Sequence, residues 1–170
     1  MLKRRISNKL GQQTYRTFGK SRSIRLKEFD YSLPYAYFVT VRCFEGKDFF
    51  KNRKLAGEII NCLLELKLKV KLFVYCLMPD HLHLLLSPDQ GQISIPRFMQ
   101  IFKGKTTHIL WKYGLKGSLW QKSYHDHIMR TYENLHETAR YILNNPVRKN
   151  LAVVPLEYPF SHIFDELPVL

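Results

Sequence analysis

The sequence predicts an α+β fold, a central antiparallel sheet with helices packed on it. Three observations predict it. Residues 37–43, 70–77 and 81–86 alternate in polarity or run rich in β-branched and aromatic side chains, as strands do. Residues 52–68 carry Leu55, Ile59, Leu63 and Leu66 at helical spacing. The second and third strands are separated only by Met78-Pro79-Asp80, which is turn chemistry, and their closeness makes them an antiparallel hairpin.

The remaining elements follow in order. A helix begins near Ile95 or Pro96, since proline is tolerated in a first turn, and runs to Tyr113 before Gly114. Residues 123–131 read as extended. A last helix runs from Asn134, an N-cap with Glu137 three residues on, to Asn145, and Pro146 stops it. The order is strand, helix, strand, strand, helix, strand, helix, and a sheet covered by helices is the economical way to bury their apolar faces. Residues 1–30 hold nine Lys and Arg with no regular apolar period and read as a basic N-terminal arm. Residues 31–170 read as one domain.

Composition narrows the function. Lys and Arg number 27 against 14 acidic residues, a formal net charge of +13 that favours a polyanionic partner through counterion release. Ten Tyr and eleven Phe add rings on which unpaired bases stack. Cys43, Cys62 and Cys76 are odd in number and form no C-x-x-C pair, which predicts reduced thiols and a cytoplasmic location. No apolar run reaches the ~18 residues of a membrane span, and none follows the basic N-terminus as in a signal peptide.

Two local patterns carry chemistry. In Pro79-Asp80-His81-Leu82-His83-Leu84-Leu85-Leu86, residues two apart on a strand share a face. His81 and His83 project together while Leu82, Leu84 and Leu86 face a core. Two adjacent imidazoles are half of a metal site, and equally a pair of hydrogen-bonded structural groups. In Arg140-Tyr141-Ile142-Leu143-Asn144-Asn145-Pro146, Tyr141 and Asn145 stand one turn apart on one helical face, beside the apolar stripe of Leu135, Ala139, Ile142 and Leu143. That spacing suits a nucleophile and an amide ligand, or a boundary tyrosine and a helix-end asparagine.

Met78-Pro79-Asp80-His81-Leu82-His83-Leu84-Leu85-Leu86 resembles the HUH motif (histidine, bulky apolar residue, histidine) of the single-tyrosine transposases of the insertion sequence 200 kind. Residues 120–130 (WQKSYHDHIMR), followed by 141–148 (YILNNPVR), resemble the REP-associated tyrosine transposase branch, and the strand 37–42 (YFVTVR) fits it too. The likeness spans roughly residues 35–162, with the motifs in the expected order. It implies a ferredoxin-like or RNA-recognition-like sheet, with His81 and His83 as metal ligands, Asn145 as the third ligand where relatives often have Gln, and Tyr141 as the nucleophile. It further implies a divalent metal, Mg²⁺ or Mn²⁺, and a single-stranded DNA partner read as a hairpin or a flanking tetranucleotide. The implied chemistry is strand cleavage and rejoining through a 5′-phosphotyrosine link. Some relatives assemble the site across a dimer, whereas the REP-associated branch implies His and Tyr from one chain, which leaves the oligomeric state open with a lean to monomer.

Around that constellation the residues alone suggest further roles. Tyr124 and Tyr132 are rival nucleophiles, without an equivalent amide four residues on. Asp126 and His127 are candidates to orient the ligand histidines. Arg97, Lys103, Lys105, Arg130, Arg140 and Arg148 are candidates for DNA backbone contacts, and Trp111, Trp120 and Tyr124 for base stacking. Two other readings share these features: a non-catalytic single-stranded nucleic-acid-binding module, and a metal-dependent nuclease that uses water.

Overall fold

A computed structural model gives the fold, describing residues 4–7, 13–16, 29–89, 93–129 and 135–164. Within the basic arm, β1 (Arg4–Ser7) pairs antiparallel with β2 (Gln13–Arg16). That stretch has no apolar alternation, so no strand is legible there. The main elements are β3 (Tyr37–Arg42), α1 (Arg53–Leu66), β4 (Val70–Met78), β5 (His81–Pro88), α2 (Ile95–Lys112), β6 (His125–Ile128), α3 (Leu135–Arg148) and β7 (Ser161–Ile163). They form a five-stranded antiparallel sheet in the order β6-β3-β5-β4-β7, so β5 is central. The three-residue edge strand β7 is too short to show a period in the sequence.

Both faces of the sheet are covered. On one, Val39, Val41, Leu82, Leu84 and Leu86 pack with α1 and α2 around Leu55, Ile59, Leu63, Phe98 and Phe102. On the other, Phe73, Val74, Cys76, Met78 and Leu85 pack beneath Leu135, Ala139, Ile142 and Leu143 of α3. Phe73 sits at a bulge in the β4–β5 register, so two successive residues of β4, Phe73 and Val74, belong to the α3 side. The histidine face of β5 is therefore the floor of a crevice under α3.

The hairpin turn Pro79–Asp80 holds that floor in place. Met78 pairs with His81 across it, and neither turn residue has a positive φ, as the twist-matched two-residue turns require. It is anchored from outside instead. The Cys43 N–H donates to the Asp80 carbonyl at 2.7 Å and the Phe50 N–H to the Pro79 carbonyl at 3.0 Å.

Pro146 does not stop α3. The helix runs on to Arg148 and ends with Asn150 in the left-handed region (φ 55°). There the Leu151 N–H bonds the Pro146 carbonyl at 2.8 Å and the Asn150 N–H the Val147 carbonyl at 2.9 Å, a Schellman ending. A proline inside a helix leaves the carbonyl four residues earlier without its N–H. Here the Asn145 amide supplies the missing donor, with Nδ2 at 3.3 Å from the Ile142 carbonyl and 2.9 Å from that of Tyr141. Asn134, read as the N-cap, lies outside the described residues.

If Asn145 stands in for the proline's missing N–H, its loss should matter only while Pro146 is present. We expect Asn145→Leu to lower unfolding free energy by about 1–3 kcal/mol, the scale for a stranded buried carbonyl. The same change in a Pro146→Ala background, with the N–H restored, should cost distinctly less in a urea double-mutant cycle.

Candidate functional site

β5 presents His81 and His83 to the α3 side, with their Nε2 atoms 3.1 Å apart. Each ring is held by its other nitrogen. His81 Nδ1 lies 2.5 Å from Asp80 Oδ1, so the ring N–H donates to the carboxylate, which in the neutral ring leaves the lone pair on Nε2. His83 Nδ1 lies 2.8 Å from Thr40 Oγ1, across the β3–β5 pair. A hydroxyl both donates and accepts, so Thr40 can hold either tautomer of His83 without moving it. His83 is buried (6% exposed), and burial above all, with His81 and Arg42 nearby, pushes its pKa down to about 3 against the pull of Asp80. It is a neutral imidazole at physiological pH.

α3 brings the second group. The Tyr141 ring lies edge-on to His83, centroids 6.2 Å apart, and to Phe38 at 6.1 Å. Arg148, two turns further along α3, places its guanidinium 5.4 Å from the centre of the Tyr141 ring. Tyr141 is 45% exposed, so a large ligand can reach its hydroxyl, whereas Asn145 one turn on is 8% exposed. Because backbone carbonyls take the Asn145 Nδ2, its side-chain oxygen is turned the other way, and among the described residues nothing donates to it.

The donor set suits one small divalent ion. With both Nε2 atoms unprotonated, two nitrogens 3.1 Å apart would be close enough to hold one ion between them. Among the described residues no three of His, Cys, Asp and Glu gather as a metal cluster, so a third protein donor beside the two histidines would be of another type. The partners that fix each imidazole from behind are the arrangement metal-ligating histidines need.

The other sequence candidates are placed as follows. Asp126 pairs with Val39 and so belongs to the α1/α2 face, away from the histidines, while His127 pairs with Phe38 on their side. Asp80 holds His81 instead, and the signal was its position next to the first histidine. Thr40, two positions from Phe38 in an ordinary strand, carried no signal. Tyr124 is buried in the α1/α2 core, and Tyr132 lies outside the described residues, as does Arg130. Trp120 is buried, its Nε1–H donating to Thr106 Oγ1 at 2.8 Å, which makes it core rather than a stacking platform. Trp111 is half exposed and donates to the Gly117 carbonyl at 2.7 Å.

The cations divide between the two layers. Arg140 and Arg148 are on α3 with Tyr141. Arg97 and Lys103 line a cavity of about 560 Å³ beside Lys122 and Tyr124, where Lys103 donates to the carbonyls of Gln121 (2.6 Å) and Lys122 (2.8 Å). Lys105 faces α1, beside Glu58 and Glu65. Arg42, absent from the sequence candidates, ends β3 directly opposite His81 and is exposed.

No helix among the described residues is long and apolar enough to cross a membrane. In fold the chain is similar to a REP-associated tyrosine transposase solved bound to a REP hairpin, with a TM-score of 0.64 and 19% identity, covering 85% of this chain and 82% of that one. An uncharacterized protein of Haemophilus influenzae (strain ATCC 51907 / DSM 11121 / KW20 / Rd) is 27% identical over 165 residues, covering 74% of this chain and 88% of its own. Residues 36–145, the span from β3 through Asn145, match the family model of the IS200-like transposases. That match takes in well over half of the sequence and every residue of the crevice except Arg148, and the chain belongs to the IS200-like transposase family.

Proposed function

We propose that this transposase cuts and rejoins single-stranded DNA, with Tyr141 as nucleophile and a divalent cation, Mg²⁺ or Mn²⁺, held by His81, His83 and Asn145. The observation that carries the reading is the convergence of two Nε2 atoms, fixed from behind by Asp80 and Thr40, beside an accessible tyrosine. When bound there, a cation would offset the charge of a phosphodiester that otherwise repels nucleophiles and would help align the scissile bond. Neutral imidazoles and an amide leave that charge undiminished.

The chain's own residues do the rest. The crevice admits a phosphate from the exposed side of Tyr141. The phenolic oxygen forms a bond to phosphorus as the bond to the 3′-oxygen breaks, and the tyrosine proton ends on that oxygen as a 3′-hydroxyl. The 5′-phosphotyrosine link keeps the bond energy, so a second 3′-hydroxyl can reseal the strand by the reverse step. Tyr141 and both histidines come from one chain, which supports a site complete in the monomer. A hairpin is the DNA form suggested by the similar solved structure, which holds a REP hairpin. Arg148 and Arg140, on the same helix as Tyr141, are the best placed of the proposed backbone contacts.

The deciding experiment offers labelled single-stranded hairpin oligonucleotides, from DNA flanking the gene, to the protein with Mn²⁺. We expect label that stays on the protein through boiling in denaturant, and its loss in Tyr141→Phe, in His81→Ala and with EDTA. Metal-dependent cutting that persists in Tyr141→Phe would point to water as the nucleophile. Binding indifferent to EDTA, with no cutting, would point to a non-catalytic module.

Asp80 is expected to act through His81. Asp80→Asn should weaken Mn²⁺ binding about 10–100-fold in calorimetry without DNA, the usual range for an outer partner of a metal-bound histidine.

His83 also links stability to pH. Unfolded, it takes a proton near pH 6.5; folded, it resists until about pH 3. Below 6.5 the unfolded chain binds more protons, so this contribution is full above 6.5 and is lost as pH falls toward 3. Urea unfolding in EDTA should show wild type losing about 1–2 kcal/mol more than His83→Gln between pH 6.5 and 5.

A further inference from the structure

We propose that Arg42 is a catalytic residue of this enzyme, its guanidinium gripping the phosphate that Tyr141 attacks. The inference rests on the reading of Tyr141 as nucleophile. It starts from register: Arg42 is the last residue of β3 and stands directly opposite His81 on β5. Opposed residues of an antiparallel pair share a face, with Cα atoms about 4.5–5.5 Å apart. Val41 and Cys43, on either side, are buried in the α1/α2 core, so Arg42 projects to the histidine side.

Its surroundings leave the head group available. The Arg42 carbonyl accepts the Gln121 N–H at 2.9 Å, and the next N–H, of Cys43, is tied to the Asp80 carbonyl, so the base of the side chain is held while its tip is exposed. The nearest acid along the hairpin, Asp80, is turned to His81 Nδ1. Among the described residues no carboxylate forms an ion pair with Arg42. A guanidinium with no acid ion pair among the described residues, on the histidine side at the end of the paired strands, is available to a phosphate that enters the crevice.

The chemistry needs such a group. As the Tyr141 oxygen bonds to phosphorus and the 3′-oxygen leaves with the tyrosine proton, negative charge gathers on the two non-bridging oxygens. A planar fork of N–H donors matches two such oxygens side by side, which an ammonium cannot do.

The test is single-turnover adduct formation by the full chain with Mn²⁺ and a labelled hairpin oligonucleotide that wild type cleaves, varied to saturation. Arg42→Ala should slow the saturating rate about 10²–10³-fold, the scale for removing one preorganised charge stabiliser, with Arg42→Lys in between. Mn²⁺ binding without DNA and the urea midpoint should stay at least as high as in wild type. A wild-type saturating rate in Arg42→Ala, or a loss confined to DNA affinity, would overturn the proposal and leave the Tyr141 reading intact. Failure of the Tyr141 reading would show separately, as cleavage by wild type that leaves no label on the protein.

Discussion

Two backbone hydrogen bonds, from Cys43 and Phe50 onto the Asp80 and Pro79 carbonyls, hold the turn on which the crevice depends. A two-residue hairpin turn without positive φ does not match the twist of its strands, so it needs support from outside. With the turn fixed, the register of β5 is fixed. A slip of one residue would bury both histidines against α1 and α2 and turn Leu82 and Leu84 into the crevice. The same anchor sets the Asp80 carboxylate on His81 and brings the end of β3 alongside. One loop, between β3 and α1, thereby positions an acid, an imidazole and a guanidinium.

The two-sided burial of the sheet gives this arrangement its electrostatic character. Were the histidine face open to water, as a half-exposed strand would leave it, the rings would be loosely held and His83 readily protonated. Under α3, His83 is desolvated and neutral, and its hydrogen bonds act in a poorly polarisable setting where they count for more. The helix that provides the roof also provides Tyr141 at its exposed margin. Roof and floor meet where the apolar contacts of Ile142 and Leu143 give way to polar ones.

Much of this was legible in the sequence. The alternation in β3, the stripe of α1 and the turn residues 78–80 between two apolar runs gave the sheet and its first helix layer, because periods of 2 and 3.6 follow directly from backbone geometry. The facing of His81 and His83 followed from the same rule. Long-range pairing was not legible: Thr40 meets His83 across 43 residues, and Arg42 meets His81 across 39. Asp126 looked suitable by type and proximity, yet strand parity sends it to the other face. Pro146 was misread because its cost was assigned without knowing that a neighbouring side chain supplies the missing donor.

That last pairing limits what the two positions can become. Beside a proline at 146, the short amide at 145 does two things at once: its nitrogen turns back onto the Tyr141 and Ile142 carbonyls while its oxygen faces away from them. A glutamine there, one methylene longer, would reach further into the crevice but would let go of the backbone. A longer amide at 145 would therefore strand the Ile142 carbonyl for as long as 146 is proline, which couples the two positions energetically.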